Sequence, residues 1–173
     1  MTNLQEVARH YHSGHLLKRI SDGCAALDLT PPIAHDALAP VDEFHIGGRR
    51  ATEPFVKSLQ LSKRSRVLDL GCGLGTVSRH MAGRHADAQF VGATVTPWQV
   101  EEGNKLTEAA GLEDRVLLME ADYLDLPCRL ESADAAFAIE SACYARGKDK
   151  WDFIDALHGT LKPGGRFAVA DCF

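Results

Sequence analysis

The 173-residue chain lacks the features that mark secreted, zinc-binding or membrane-spanning proteins. Its five cysteines are odd in number and widely spaced, and none forms a C-x-x-C pair, so neither a disulfide framework nor a zinc site is indicated. No apolar run approaches the length that crosses a bilayer, and the N-terminus shows no apolar signal core. We therefore expect a cytoplasmic protein without a membrane span.

Clustered positive charge is also scarce. The formal net charge is -5, and no Lys/Arg-rich block is long enough to neutralise a run of phosphates, so we expect no nucleic-acid partner. The densest basic stretch, residues 63–66, is interpreted as solvated surface before a strand. The 45% hydrophobic and 25% charged residues are ordinary for a globular domain with a single core.

Three histidines near the N-terminus are the one candidate for a metal site. His12 and His15 fall on one face if residues 4–20 form the amphipathic helix that their apolar pattern predicts. No carboxylate or cysteine completes a ligand set with them and His10, so we interpret all three as surface or packing residues. No metal is expected.

Strands and helices alternate from residue 65 onward. A broken segment, 21–43, and a helix at 51–61 come first. The pattern predicts an α/β protein with a Rossmann-like, doubly wound, mostly parallel sheet. We expect residues 1–62 to form a helical cap or lid and residues 63–173 to form the core. The predicted strands are 67–70, 89–93, 116–120, 135–139 and 167–170, and the helices between them are 77–83, 97–110 and 151–161. A Pro-Gly-Gly turn is predicted at 163–165, before the fifth strand.

The chain is organised around the segment 69–75, Asp-Leu-Gly-Cys-Gly-Leu-Gly, which lies between the first strand and the next helix. A phosphate-binding loop would need a lysine after the glycines, and there is none. A dinucleotide fingerprint would need G-x-G-x-x-G and a carboxylate closing the second strand. The spacing here is G-x-G-x-G and Thr94 closes that strand, so a dehydrogenase is disfavoured.

The same segment resembles motif I of class I S-adenosylmethionine-dependent methyltransferases. Glu120-Ala121-Asp122 is similar to the segment whose aspartate binds the adenine amine, and residues 161–166 resemble the turn before the fifth strand. The resemblance implies that the glycine backbone packs beside the methionyl part of the cofactor and that the motif's aspartate organises its amino group. The cofactor-binding residues implied by these segments are Asp69, Gly71, Cys72, Gly73, Asp122 and Tyr123.

A threonine followed five residues later by a glutamine closes the second strand. Thr94 and Gln99 resemble the pair that contacts the cofactor in methyltransferases acting on alkenes and lipids, including cyclopropane fatty-acid synthases and prenyl diphosphate methyltransferases. A hydroxyl and an amide can hydrogen-bond a ribose without a charge. Both residues are therefore expected to bind the cofactor.

Two further residues are candidates for the chemistry. The segment 137–144 resembles the glutamate-containing segment of sterol side-chain methyltransferases. This implies that the carboxylate of Glu140 stabilises the positive charge that develops on carbon when an alkene attacks the sulfonium methyl. The alternative is that Glu140 caps a helix or contacts the cofactor's amino group. The segment 44–48 resembles one found in amine methyltransferases, so His45 is a candidate base or lid residue, with simple packing as the alternative.

The resemblance covers residues 44–173 and stops at the fifth predicted strand, whereas the class I sheet normally has seven strands. We expect either a truncated piece or a chain whose residues 167–173 pair with a strand of a second polypeptide or a swapped copy, since long apolar edges are rarely left open. The predicted function is methyl transfer to a small, lipophilic acceptor, with C-methylation favoured. N- or O-methylation, or a cofactor-binding subunit inactive alone, are the alternatives.

Overall fold

The computed structural model describes residues 3–11, 15–30, 33, 37, 40–41, 43, 45–127 and 131–171. His12, Phe44, Cys128 and Cys172 lie outside the described residues, as do the side chains of His10 and His15. The helices are α1 (Asn3–Tyr11), α2 (His15–Ala26), α3 (Gly48–Lys57), α4 (Thr76–Arg84), α5 (Pro97–Ala109) and α6 (Trp151–Thr160), with a short 3₁₀ helix at Ala142–Tyr144. The strands are β1 (Arg66–Leu70), β2 (Gln89–Thr94), β3 (Val116–Glu120), β4 (Ala133–Ile139) and β5 (Leu161–Ala170).

The described strands form one parallel sheet in the order β3-β2-β1-β4-β5. The chain runs outward from β1 to β3 and then returns to the other side of β1 with β4. Ligands of such sheets bind at the carboxyl ends of the strands where the order reverses. The glycine turn follows β1 directly, so it lies at this point.

Apolar side chains cover both faces of the sheet. Val67 and Phe137 pack on one face with Met81 of α4, while Leu68 packs on the other with Phe153 of α6. Consecutive strand residues point to opposite faces, so helices on both sides bury most of β1, β2 and β4, while the edge strands β3 and β5 stay partly exposed. This layering confirms the predicted doubly wound α/β fold. Within the described segments, no helix is long and apolar enough to cross a membrane.

Element boundaries differ from the predicted ones mainly near the two ends of the chain. The single helix predicted over 4–20 is two helices. α2 continues past Gly23, and Cγ1 of Val41 lies 2.6 Å from the position that a Cβ would take at this glycine. The predicted turn at 163–165 lies within β5. Ala133 pairs with Leu161 and Ala135 with Arg166, so the residues between bulge out while the strand continues.

Candidate functional site

The glycine turn after β1 is bound to the end of β2. The backbone N–H groups of Gly71 and Cys72 both donate to the carbonyl oxygen of Ala93, at 2.8 and 3.0 Å. Gly71 has a φ of 79°, and a side chain there would meet Cβ of Ser141 at 2.2 Å, so the ends of β1 and β4 approach closely. Gly73 has a φ of 55° and faces open space, since a methyl group added there would meet no atom within 4 Å. The turn is therefore a cradle that a ligand can fill.

Asp69 presents a buried carboxylate beside this cradle. Its side chain is 4% exposed, and Oδ2 accepts a hydrogen bond of 2.7 Å from the Ser78 hydroxyl. Burial raises the pKa of Asp69 from 3.8 to about 7, and the Ser78 hydrogen bond and the Arg79 charge offset only part of that rise. A cationic ligand group would favour the ionised form and so bind here.

A cavity of about 280 Å³ opens at the carboxyl ends of β1, β2 and β4. Asp122 does not line it, and its Oδ1 instead accepts a hydrogen bond of 2.9 Å from the backbone N–H of Leu124. The neighbours Ala121 and Tyr123 do line it, so the adenine contact of Asp122 stays a prediction. The other predicted site residues all line the cavity: His45, Asp69, Gly71, Cys72, Gly73, Thr94, Gln99, Tyr123 and Glu140.

One thiol and one phenol among these site residues are held close to the backbone. The hydroxyl of Tyr123 donates to the carbonyl oxygen of Ser141 at 3.3 Å, and Sγ of Cys72 lies 3.6 Å from the carbonyl oxygen of Gly73. Burial raises the pKa of each above its usual value. Both side chains are therefore neutral at physiological pH and act as neutral walls of the cavity.

The predicted threonine–glutamine pair meets in the structure. Oγ1 of Thr94 donates to Oε1 of Gln99 at 2.9 Å, and both side chains are buried. β2 ends at Thr94 and α5 begins at Pro97, so the short connection brings Gln99 back over the strand end. With its carbonyl oxygen engaged, Gln99 offers its amide N–H groups to the cavity.

Glu140 and His45 come together at the rim. Glu140 follows β4 with a φ of 47°, and its Oε1 accepts a 2.7 Å hydrogen bond from the backbone N–H of Ile46. Nε2 of His45 lies 3.1 Å from the carbonyl oxygen of Gly48 and 2.8 Å from the hydroxyl of Thr52. These two contacts hold the ring against its own loop and the first turns of α3. The carboxylate thereby anchors the loop that precedes α3.

Sequence reasoning expected a helical cap or lid over residues 1–62 but identified none of the α1 residues that line the cavity. Val7 and Tyr11 line the cavity, and the Tyr11 hydroxyl lies 3.0 Å from that of Tyr144 with the two rings edge to face at 6.2 Å. Nε1 of Trp98 donates to the carbonyl oxygen of Tyr11 at 2.8 Å. Burial and the bond to Tyr144 raise the pKa of Tyr11. The amphipathic pattern indicated a buried face of α1 but carried no signal of what that face covers.

The cavity is acidic. Among the described residues that line it, those with formal charge are Glu43, Asp69 and Glu140, and no lysine or arginine is present. A concave site lined by one sign of charge raises the local concentration of ligands of the opposite sign. The arrangement therefore suits a small cationic ligand.

The chain matches the model of a family described as a methyltransferase domain over residues 67–165, more than half of its length. The match begins in β1 and ends in the bulge of β5, so it contains the glycine turn and the strand ends around the cavity. The predicted resemblance to methyltransferases is confirmed.

Individual proteins similar to this chain are also methyltransferases. Methyltransferase GfsG of Streptomyces halstedii is 36% identical over 131 residues, which are 76% of this chain and 46% of that protein. A sterol 4-C-methyltransferase of Caenorhabditis elegans is 35% identical over 66% of this chain and 33% of its own. The crystal structure of geranyl diphosphate C-methyltransferase from Streptomyces coelicolor A3(2), solved with Mg²⁺, geranyl diphosphate and S-adenosyl-L-homocysteine, matches with a TM-score of 0.63 at 22% identity, covering 69% of this chain and 44% of that one. The chain thus spans less than half the length of these relatives.

Proposed function

Because the chain belongs to the methyltransferase domain family, we propose that its cavity binds S-adenosylmethionine and that it forms the core of an enzyme methylating a small, lipophilic acceptor. The observation that carries this proposal is the open cradle at Gly73 beside the buried carboxylate of Asp69. This cofactor carries a sulfonium and an ammonium group against a single carboxylate, and this net positive charge suits an acidic cavity.

The residues around the cavity fit the parts of this cofactor. Asp69 would hold the ammonium group, and the backbone at Gly73 leaves room for the methionyl chain. The amide of Gln99, oriented by Thr94, would donate to the ribose hydroxyls. Tyr123 would pack against the adenine. When bound, the cofactor supplies a methyl group on sulfur that is open to in-line displacement.

The chain's own contribution to the reaction is to position the reactants, to exclude water from the cavity and to stabilise the charge that develops. Tyr11 of α1 covers the cavity and is held by Tyr144 and Trp98. Glu140 has one oxygen fixed by Ile46 and keeps the other for the acceptor. When an alkene carbon attacks the methyl group, positive charge develops on the neighbouring alkene carbon; the free oxygen would stabilise that charge and take the proton that a carbon beside it then loses. This favours C-methylation, and the sterol 4-C-methyltransferase relative supports the same choice.

A second candidate function is N- or O-methylation, with His45 as the base that removes the acceptor's proton. Its position on the cavity supports this, but its Nε2 is already engaged by Gly48 and Thr52. We also propose that a strand of a second copy or another polypeptide pairs with β5, which occupies one edge of the described sheet. Sedimentation showing a fully active monomer would contradict that pairing. A cytoplasmic location, based on cysteine usage, remains part of the proposal.

The test of cofactor binding compares two glycines with the same backbone strain. Gly73 and Gly111 have φ values of 55° and 64°, and a methyl group added at either meets no atom within 4 Å. Only Gly73 lines the cavity. We expect Gly73→Ala to weaken S-adenosylhomocysteine binding at least tenfold by calorimetry, while Gly111→Ala stays within twofold of the wild type. Equal effects of the two variants would contradict the proposed site.

A further inference from the structure

A second cavity adjoins the first at Glu140. It has a volume of about 220 Å³ and lies between α3 and the carboxyl ends of β4 and β5. His45, Ile139 and Glu140 line both cavities, so the two compartments meet at these side chains. The carboxylate proposed to act on the acceptor therefore stands at the junction.

The walls of the second compartment are mainly apolar. Phe55 is fixed there by an edge-to-face contact of 6.5 Å with Phe137 of the core. Ile46 lines it and is 77% exposed, a large apolar side chain on a loop that Glu140 anchors. Ala51 and Ala170 add to the same wall. The compartment is larger than the apolar cavity of about 150 Å³ that binds benzene, so it has room for a short hydrocarbon segment.

The charged side chains that line the two compartments are carboxylates, and one of them, Glu43, is paired with Arg49. Glu140 and Asp171 line the second compartment, while Glu43 and Asp69 line the first. Within the described part of the chain, no lysine or arginine lines either compartment. An anionic acceptor would have to lose its hydration beside these carboxylates without a compensating cation, which is costly.

We propose that the second compartment holds the hydrocarbon part of the methyl acceptor and that the acceptor is neutral or cationic rather than a diphosphate. The inference rests on the proposed methyl transfer, since it places the acceptor carbon beside Glu140 and opposite the cofactor cavity. The same carboxylate binds the loop of Ile46 and faces both compartments, so it aligns the apolar wall with the reacting carbon.

Three probes that share the same hydrocarbon chain and differ in the charge of the head group test this preference: geraniol, geranylamine and geranyl diphosphate. Their dissociation constants are measured by ligand-observed NMR on protein saturated with S-adenosylhomocysteine, with and without magnesium chloride. We expect the alcohol and the amine to bind at least fivefold more tightly than the diphosphate under both conditions. A smaller ratio, or preference for the diphosphate once magnesium is added, overturns the inference.

A pair of helical substitutions tests the location. Ala51 lines the second compartment, whereas Ala109 is exposed on α5 and lines neither compartment. Ala51→Phe should weaken geraniol binding at least fivefold and leave S-adenosylhomocysteine binding within twofold, while Ala109→Phe should change neither. Equal effects of the two variants overturn the assignment, and Ala51→Leu replaces Ala51→Phe if melting shows that the latter does not fold.

The same titrations separate this inference from the proposed function. If the wild-type protein does not bind S-adenosylhomocysteine, the proposed function itself fails, and the acceptor site with it. If it binds S-adenosylhomocysteine but none of the three probes, only the acceptor site is overturned.

Discussion

Cofactor binding should be coupled to a proton held by Asp69. In the free protein, burial holds the pKa of this carboxyl at about 7, so at pH 6 most molecules carry it protonated. The ammonium group of the ligand favours the ionised form and lowers that pKa. Binding below pH 7 therefore releases a proton, and the affinity rises as the pH rises toward 7.

The size of the effect follows from the ionised fraction of the free protein. With a pKa of about 7, roughly one carboxyl in eleven is ionised at pH 6 and about half at pH 7. The affinity should rise about fivefold over this interval, which is about 1 kcal/mol, and close to 0.9 proton should leave per ligand bound at pH 6. The window ends at pH 7 because α-amino groups begin to titrate near pH 8.

The assay is calorimetric titration of S-adenosylhomocysteine at pH 6, 6.5 and 7 in two buffers of different ionisation enthalpy. The difference in heat between the buffers counts the protons released. Asp69→Asn keeps the shape and the Ser78 hydrogen bond but cannot titrate, so its weaker binding should be independent of pH. An unchanged pH slope in Asp69→Asn would assign the proton to another group and refute the reasoning.

Three further outcomes are expected. The folded-state pKa of Asp69 is raised from 3.8 to about 7, so its stabilising contribution is complete below pH 4 and is lost as the pH rises through 7. Asp69→Asn should therefore raise the Tm of the ligand-free protein at pH 7.5 by at least about 3 °C, and this increase should become smaller toward pH 6. Glu140→Gln should lower turnover by at least tenfold while the S-adenosylhomocysteine affinity stays within twofold, whereas equal losses in both would indicate a binding role. Trp98→Phe removes the 2.8 Å bond to Tyr11, so stopped-flow measurements should show faster S-adenosylhomocysteine release, and an unchanged rate would show that α1 does not retain the ligand.

The sheet was predictable because each strand is a short apolar run bounded by turn residues. The predicted strand 116–120 has the observed bounds, and 89–93 is extended only by Thr94. The turn at 163–165 was predicted from a local Pro-Gly-Gly signal, but β5 pairs with β4 on both sides of these residues, so they form a bulge within the strand. Local propensity could not reveal this because the deciding contacts come from a strand about 30 residues earlier in the chain.

The same distinction between local and long-range contacts applies to the residues of the site. Residues that a single turn or connection brings together were predictable, as the glycine cradle and the Thr94–Gln99 pair show. Tyr11 was not, because its partner Tyr144 is 133 residues away and no motif joins them. Such contacts depend on how α1 docks on the folded core, which a periodic pattern does not specify.

Glu140 shows why a motif residue can have two roles that the sequence does not separate. Its φ of 47° lies in the left-handed region, which costs a non-glycine residue about 1 kcal/mol or more and persists where the surrounding structure enforces it. Two hydrogen bonds enforce it here, from its own N–H to Ala170 and from Ile46 to its carboxylate. Because the backbone anchor is independent of the side chain, Glu140→Gln should keep the turn and lose only the negative charge. Comparing turnover with thermal stability in that one variant therefore separates the chemical role of the carboxylate from its role as an anchor for the loop.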